Sequence, residues 1–183
     1  MADINNNLLA LGRRVEYTQQ LVDINQVVNQ AITQMASRFE NVTMVVELAS
    51  DLPRVKGSFS QLRRVITNLI TNGCEAMEGV GLLTVRTEQV RPDSPSNGFN
   101  RNEAGEYIKV AVSDNGCGVP ANIRDKIFEP FFSTKTDSER LGMGLGLCIV
   151  QAIVEDHYGY IDLTTDVGKG STFTVYIPIV EEF

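Results

Sequence analysis

Residues 141–151, LGMGLGLCIVQ, form the stretch around which the rest of this 183-residue chain can be interpreted. Three glycines, Gly142, Gly144 and Gly146, alternate with larger residues, and the run passes directly into the helix-period sequence LCIVQAIVEDHYG. A glycine loop that leads into a helix presents backbone N–H groups and the positive end of the helix dipole, and both favour phosphate. Glycines before a helix are also ordinary turn residues, so the stretch predicts a phosphate site only where other segments agree.

The composition is that of an ordinary globular domain. Hydrophobic residues make up 43% of the chain, enough for a core, and the net charge of -7 argues against a nucleic-acid-binding protein. Three scattered cysteines and one histidine predict neither a disulfide framework nor a zinc site, which fits a reducing, cytoplasmic setting. Because no apolar run approaches the length of a membrane span, we expect no membrane contact by this part of the protein.

Hydrophobic periodicity predicts helices alternating with strands. Asp23 is positioned to cap a helix whose apolar residues recur at i, i+3 and i+4, and SFSQ, residues 58–61, is a capping box that opens a second, longer helix. Residues 51–57 are predicted as a turn and residues 91–105 as a long exposed loop. Strands are predicted at 42–49, 82–90, 106–114, 160–165 and 171–178. This order favours an α+β fold, a two-layer sandwich in which helices cover one face of a mixed sheet.

The longer helix carries two stripes. Its apolar stripe should pack on the sheet and consists of Leu62, Val65, Ile66, Leu69, Ile70, Gly73 and Met77. Beside it lie Asn68, Asn72 and Glu75, which could simply face solvent. Two asparagines one turn apart are nevertheless unusual on a merely exposed face, since asparagine is a poor helix former.

A second candidate segment follows a predicted strand. Asp114 ends that strand and DNGCG, residues 114–118, continues from it, so a carboxylate lies beside backbone that can approach a ligand closely. Taken alone, this segment favours an ordinary Asp-Asn-Gly turn. Together with the glycines at 142–146 it predicts one site for a base amine and another for phosphates, with Asn72 offering an oxygen to a divalent cation. P-loop, Rossmann and eukaryotic-type kinase motifs are all missing from the sequence.

Over about residues 20–180 the chain resembles the catalytic, ATP-binding domain of bacterial two-component sensor histidine kinases, in the superfamily that also contains gyrase B, Hsp90 and MutL. That superfamily has the two-layer Bergerat ATP-binding fold. Five segments carry the resemblance in family order: NLITNGCEA (68–76) resembles the N box, DNGCG the G1 box, FEPFFSTK (128–135) the F box, GMGLGL (142–147) the G2 box and GKGSTF (168–173) the G3 box.

The resemblance implies ATP and Mg²⁺ as cofactors and assigns roles by position. Asn72 matches the Mg²⁺-binding asparagine, and Asn68 matches the partner that helps to order water or metal, so both are candidate catalytic residues. Glu75 lies on the same stripe as a further candidate. Asp114 matches the aspartate that reads adenine. The remaining expected nucleotide contacts are Gly116, Gly118, Lys135, Gly142, Gly144, Leu145, Gly146 and Ser171.

Several of these positions have alternatives. Ser171 replaces the usual threonine but keeps the hydroxyl that lies beside adenine through water. Lys135 could approach phosphate or remain solvated on the lid. Three phenylalanines of the F box are expected in the core or as anchors of the lid rather than as ligand contacts: Phe128, Phe131 and Phe132.

The chain also departs from the family pattern. No phosphoacceptor histidine followed by an acidic residue is present, and the sole histidine, His157, is expected to have a structural role at a helix end. Residues 1–20 resemble the tail of a dimerisation helix, and residues 21–183 form the predicted catalytic domain. Ser58 replaces a usual aspartate but can still cap its helix.

The implied function is transfer of the ATP γ-phosphoryl group to a histidine on an upstream dimerisation domain absent from this chain. A response-regulator aspartate would then receive it, and the full protein would be a homodimer. One alternative is a degenerate regulatory module that holds nucleotide, or nothing, and acts by docking partners. Another is an ATPase of the gyrase or Hsp90 kind, but those relatives have a glutamate base at the position of Asn68, and an amide cannot accept the proton.

Overall fold

A five-stranded sheet with helices on one face forms the body of the structure. The computed structural model describes residues 19–91, 105–133 and 144–179. In chain order its elements are β1 Gln20–Val22, α1 Ile24–Ala36, β2 Val42–Leu48, β3 Val55–Gly57, α2 Phe59–Ala76, β4 Gly81–Val90, β5 Tyr107–Asp114, a 3-10 helix Ala121–Ile123, α3 Gly146–Asp156, β6 Tyr160–Asp166 and β7 Gly170–Pro178.

The sheet is mixed and mostly antiparallel, as predicted. Its strand order is β2-β4-β5-β7-β6. Only the β2–β4 pair is parallel, and the three other pairs are antiparallel. The two-layer α+β fold class is therefore confirmed.

Side-chain alternation explains why helices cover only one face of the sheet. The inward positions of its central strands are apolar and buried: Leu83, Val85, Ile108, Val110, Val112, Phe173, Val175 and Ile177. The opposite face carries charged and aromatic cross-strand neighbours, including an ion pair between Lys109 and Glu88 at 2.5 Å and stacked rings of Tyr160 and Tyr176. The apolar layer thus continues only toward the helices.

The central helix α2 packs between α1 and α3. Every residue of its predicted apolar stripe is buried, and the stripe faces β4, β5 and β7. The α1 helix begins as predicted, because the Asp23 side chain accepts the N–H of Gln26 at 3.2 Å. It ends at Ala36, so Phe39 packs on the core from beyond the helix.

Two short strands correct the expectation of a turn at 51–57. Val55–Gly57 forms β3, which pairs antiparallel with β1, Gln20–Val22. Each strand has only three residues, too few to show a period of two, and their pairing partners are more than 30 residues apart in the sequence. The β1 strand also crosses the boundary predicted at residue 20.

The capping box at 58–61 forms only in part. Ser58 Oγ accepts the N–H of Gln61 at 3.5 Å, so Ser58 is the N-cap of α2. In a complete box the Gln61 side chain would accept the N–H of Ser58. That N–H instead donates to Nε2 of His157 at 3.0 Å, a contact between residues 99 positions apart.

Candidate functional site

The glycine-led helix α3 begins at Gly146 without a side-chain cap. Leu145 occupies the N-cap position with its side chain buried, and no acidic residue lies in the first turn. First-turn N–H groups have no intrahelical acceptor and require one from another part of the molecule or from a ligand. The helix start therefore has the properties of an anion site, as the sequence predicts.

Gly144 is required by its surroundings. Its φ is 62°, and a Cβ at this position would lie 2.5 Å from the carbonyl carbon of Phe131. The Gly144 carbonyl accepts the N–H of Phe131 at 3.0 Å. This contact joins the F-box segment to the glycine segment through backbone atoms.

The three F-box phenylalanines differ from one another. Phe128 and Phe132 are partly buried against the core, as expected. Phe131 is 68% exposed and has a φ of 66°, so its side chain is not part of the core. Of the two alternatives expected for Phe131, the core is thus wrong, and a role in anchoring the lid stays a prediction because residues 134–143 lie outside the described residues.

The polar stripe of α2 lies against the start of α3. Asn68 Nδ2 donates to the Gly146 carbonyl at 3.4 Å. A Cβ on Gly146 would be 3.7 Å from Oδ1 of Asn72, ordinary contact distance. The Asn72 amide has no hydrogen-bond partner within residues 19–91, 105–133 and 144–179, and Glu75 is partly exposed on the same helix. An amide oxygen is thus available beside the helix start.

Asp114 ends β5 with its two carboxylate oxygens in different environments. Oδ1 accepts backbone N–H groups from Gly116 at 2.9 Å and Ser171 at 3.3 Å. Among the described residues, Oδ2 accepts no hydrogen bond. Burial raises the pKa of Asp114, and the two N–H donors oppose this shift. One oxygen is fixed by backbone, and the other remains available as an acceptor.

Gly118 allows the backbone after Asp114 to approach the β6–β7 hairpin. Its φ is 71°, and a Cβ there would lie 2.3 Å from the Asp166 carbonyl oxygen. Nearby, Gly168 N–H donates to the Cys117 carbonyl at 2.8 Å. The loop is therefore held against the hairpin by main-chain contacts that exclude a side chain at Gly118.

Hydroxyl groups continue this network in a way that the sequence did not reveal. Ser171 pairs with Asp114 across β5 and β7, and its Oγ lies 3.0 Å from Oγ1 of Thr165. Thr165 Oγ1 accepts the N–H of Val119 at 2.8 Å. Asn115 Oδ1 accepts the N–H of Leu82 at 2.9 Å and secures the other side of the loop. Asn115 lies within DNGCG, but that pattern did not indicate its bond to Leu82, and Thr165 lies outside the five family-like segments.

Two successive residues of α2 connect the two ends of this site. The Asn72 side chain lies beside the start of α3, where its Oδ1 is 3.7 Å from the position of a Cβ built on Gly146. Its neighbour Gly73 lies so close to β5 that an added Cβ would be 3.3 Å from the Asp114 Cβ. The structure thus places the carboxylate and the glycine-led helix on either side of one helix. Two predicted contacts, Lys135 and Gly142, lie outside the described residues.

Other kinds of site are not seen in the part of the chain that the structure describes. It contains no group of three histidine, cysteine, aspartate or glutamate residues able to hold a metal ion. None of its helices is both long enough and apolar enough to cross a membrane.

Residues 57–181 match the family described as histidine kinase-, DNA gyrase B- and HSP90-like ATPase. The chain belongs to this ATPase family. It is 32% identical to sensor kinase CckA of Brucella abortus (strain 2308), covering 99% of this chain and 19% of that protein. It is 35% identical to sensor histidine kinase ZraS of Klebsiella oxytoca, covering 95% of this chain and 34% of that protein.

Solved structures of this ATPase family share the fold. The catalytic domain of histidine kinase ThkA, in a nucleotide-free form, has a TM-score of 0.69 and 25% identity, covering 87% of this chain and 97% of that domain. Full-length ShkA in complex with AMPPNP has a TM-score of 0.78 and 22% identity, covering 98% of this chain and 36% of that chain. The predicted resemblance to sensor histidine kinases is confirmed. This chain spans only a fifth to a third of the length of the curated relatives compared.

Proposed function

We propose that this chain is the ATP-binding catalytic domain of a sensor histidine kinase and that it binds MgATP between Asp114 and the start of α3. The observation that carries the proposal is the placement of Asn72 and Gly73. A Cβ added to Gly146 would lie 3.7 Å from Oδ1 of Asn72, and one added to Gly73 would lie 3.3 Å from the Asp114 Cβ, so these successive residues adjoin the start of α3 and the Asp114 side chain, respectively. A ligand that follows this part of α2 would meet a carboxylate at one end and bare N–H groups at the other.

The carboxylate end suits adenine. Oδ1 of Asp114 is held by two backbone N–H groups, so Oδ2 can accept a hydrogen bond from the exocyclic amine of the base. The loop at Gly116 and Gly118 lets backbone lie against the ring, and the Ser171 hydroxyl adds a polar group beside it. Guanine would present a carbonyl oxygen where adenine has its amine, and two acceptors would then face each other.

The helix end suits the phosphates. The uncapped first turn of α3 supplies N–H donors and the positive end of the helix dipole, with Gly144, Leu145 and Gly146 forming the approach. We include Gly142, Lys135 and Glu75 in the proposed site on the family pattern alone.

Asn72 is suited to hold Mg²⁺. Its amide has no other partner among the described residues, and Mg²⁺ commonly takes one or two protein oxygens together with substrate phosphates and water. When bound, Mg²⁺ would neutralise negative charge on the phosphates. Asn68 would support this arrangement, because its bond to Gly146 fixes the spacing of the two helices.

The reaction that we propose requires positioning more than acid–base chemistry. In phosphoryl transfer the protein chiefly orients the γ-phosphoryl group and stabilises its charge. Here the α3 N–H groups and Asn72 would do both, and a histidine nitrogen on another domain would displace ADP. Asn68 is an amide whose nitrogen already donates to Gly146, so it cannot activate water as a general base.

The partners belong to the longer protein that we propose. Residues 1–20 would be the tail of a dimerisation helix, and residues 21–183 the catalytic domain. Two such chains would associate through the upstream domain, and a response-regulator receiver domain would accept the phosphoryl group. We place this activity in the cytoplasm.

Titration calorimetry of the purified chain tests the binding step. We expect saturable binding of MgATP and much weaker binding of GTP. Incubation with ATP labelled at the γ-phosphate should leave the chain unlabelled, because the acceptor histidine is elsewhere. The absence of saturable ATP binding would refute the proposal. Stable label at His157 or appreciable steady hydrolysis would also contradict it, the latter in favour of a gyrase-like ATPase.

A further inference from the structure

His157 lies at a junction of three elements. Its imidazole is 6% exposed. Nδ1 is 2.7 Å from the Ile153 carbonyl at the end of α3, and Nε2 accepts the N–H of Ser58 at the start of α2. Since Nε2 accepts, it carries no hydrogen, and Nδ1 is the donor to Ile153. A single neutral tautomer therefore connects the two helices.

The ring also packs tightly on β3. A Cβ added to Gly57 would lie 2.5 Å from Cδ2 of His157 and 2.7 Å from Nε2. The space between β3 and α3 is therefore filled by the imidazole.

Helices α2 and α3 are joined at two distant points. One contact runs from the N-cap of α2, at Ser58, to the C-terminal end of α3, at His157. The other runs from Asn68, within α2, to Gly146, at the first turn of α3. Two contacts at opposite ends of α3 fix both its distance from α2 and its direction. Moving the His157 end would rotate α3 and displace Gly146 from the amide stripe.

We propose that His157 is a positioning residue for the phosphate half of the nucleotide site. It holds α3 against α2 so that the first turn of α3 faces Asn72. The adenine half, built from β5 and β7 around Asp114, does not depend on this contact. The inference rests on the proposed nucleotide site. It adds that different contacts within the protein hold the phosphate-binding half and the adenine-binding half in place.

The test compares ATP with adenosine, which has the base and no phosphate. His157→Leu removes the acceptor for Ser58. We expect it to weaken MgATP binding by up to about tenfold, because the effect on the phosphates can be no larger than the free energy of the lost hydrogen bond, and to change adenosine binding by less than about twofold. Gly57→Ala should do the same by pushing the ring aside. His157→Gln keeps an acceptor near the Nε2 position and should restore most of the ATP affinity.

Tyr158→Gly is the matched control, because it alters the adjacent residue at the same helix end without touching the imidazole. The Tyr158 side chain is 83% exposed, and its φ of 58° suits glycine. This variant should keep the wild-type ratio of ATP to adenosine affinity. Denaturant unfolding shows which variants are folded under the binding conditions. Equal losses of ATP and adenosine binding in folded His157→Leu, or no loss of either, would overturn the inference.

The wild-type chain provides a test that needs no variant. Its one histidine gives a single set of imidazole signals in a ¹⁵N spectrum. We expect the Nδ1-protonated tautomer and a larger change on addition of MgATP than of adenosine. An Nε2-protonated ring, or equal responses to both ligands, would contradict the inference while leaving the proposed function intact. Failure of the wild-type chain to bind MgATP at all would refute both.

Discussion

Oδ1 of Asp114 accepts the backbone N–H of Gly116 at 2.9 Å. The bond closes a tight turn directly after β5, and the Ser171 N–H bonds to the same oxygen from β7. The carboxylate is therefore oriented in the absence of a ligand, and its second oxygen is the one that would accept from the proposed adenine base. A hydrogen-bond acceptor that is already held in its binding orientation loses little conformational entropy when a ligand binds.

Asp114→Asn should weaken ATP binding by about tenfold to a hundredfold, the range expected when a hydrogen bond to a charged group is lost. The amide must either present its nitrogen to the base amine or lose its bonds to Gly116 and Ser171. Calorimetric titration with MgATP measures the change. Asp125→Asn, at an exposed position after the 3-10 helix Ala121–Ile123, is the control and should bind normally. An unchanged affinity in Asp114→Asn would exclude this carboxylate as the base contact.

Adenosine binding should weaken on acidification because of Asp114. Burial raises the pKa of this carboxyl, so it takes up a proton at a higher pH than an ordinary aspartate does. The protonated form carries a hydrogen that opposes the base amine, so affinity should fall as the pH drops through this raised pKa. Adenosine is the probe because it has no phosphate to titrate. The dependence should disappear in Asp114→Asn, and a pH profile that is the same in both proteins would assign it to another group.

Asn72→Ala should remove the benefit of Mg²⁺ while sparing binding of the base. In the wild-type chain we expect ATP to bind more tightly in the presence of Mg²⁺ than after Mg²⁺ has been removed by a chelator. In Asn72→Ala the ATP affinities under these two conditions should be nearly equal. Adenosine affinity should remain within about twofold of wild type, since the adenine contacts are unchanged. Asn29→Ala, at an exposed position on α1, controls for loss of an asparagine from a helix. A full Mg²⁺ effect in Asn72→Ala would exclude this residue as a ligand.

Gly118→Ala should destabilise the fold more than Gly168→Ala. Both residues have positive φ, 71° and 79°, and so share the conformational cost of a Cβ, about 1–2 kcal/mol. Only at Gly118 would the new Cβ collide with backbone, 2.3 Å from the Asp166 oxygen, whereas at Gly168 nothing lies within 4 Å. Denaturant unfolding should show the larger loss for Gly118→Ala, with weaker ATP binding in addition. Equal losses of unfolding free energy in the two variants would mean that the loop at Gly118 moves away from Asp166 at little cost.

Much of the fold was predictable because its elements carry strong local patterns. The apolar stripe of α2 repeats over about four turns, and the Asp23 and Ser58 caps mark where helices begin. The DNGCG and GMGLGL segments are also local patterns. In each, closely spaced glycines indicate that the backbone can approach another group closely, and in DNGCG a carboxylate at the end of a strand precedes the glycines. These patterns required no knowledge of distant contacts.

The failures share one physical cause. The pairing of β1 with β3 and the bond from Ser58 to His157 both depend on groups far apart in the sequence. Gln61 was a reasonable partner for the Ser58 N–H, but a buried imidazole from the end of α3 occupies that position instead. Local propensity cannot predict this exchange of one hydrogen-bond acceptor for another, because the imidazole reaches the Ser58 N–H only when the helices pack.

By itself, the sequence determined the three helices, the five strands of the main sheet and the faces that they bury, because each follows from local periodicity, and it showed which short segments resemble those of the ATPase family. Only the tertiary structure decided that Gly73 lies against Asp114, that Asn72 faces Gly146 and that His157 joins the two helices of the site. Those relationships arise when the helices and the sheet bury their apolar side chains in one core, because this packing brings together segments that are distant in the sequence.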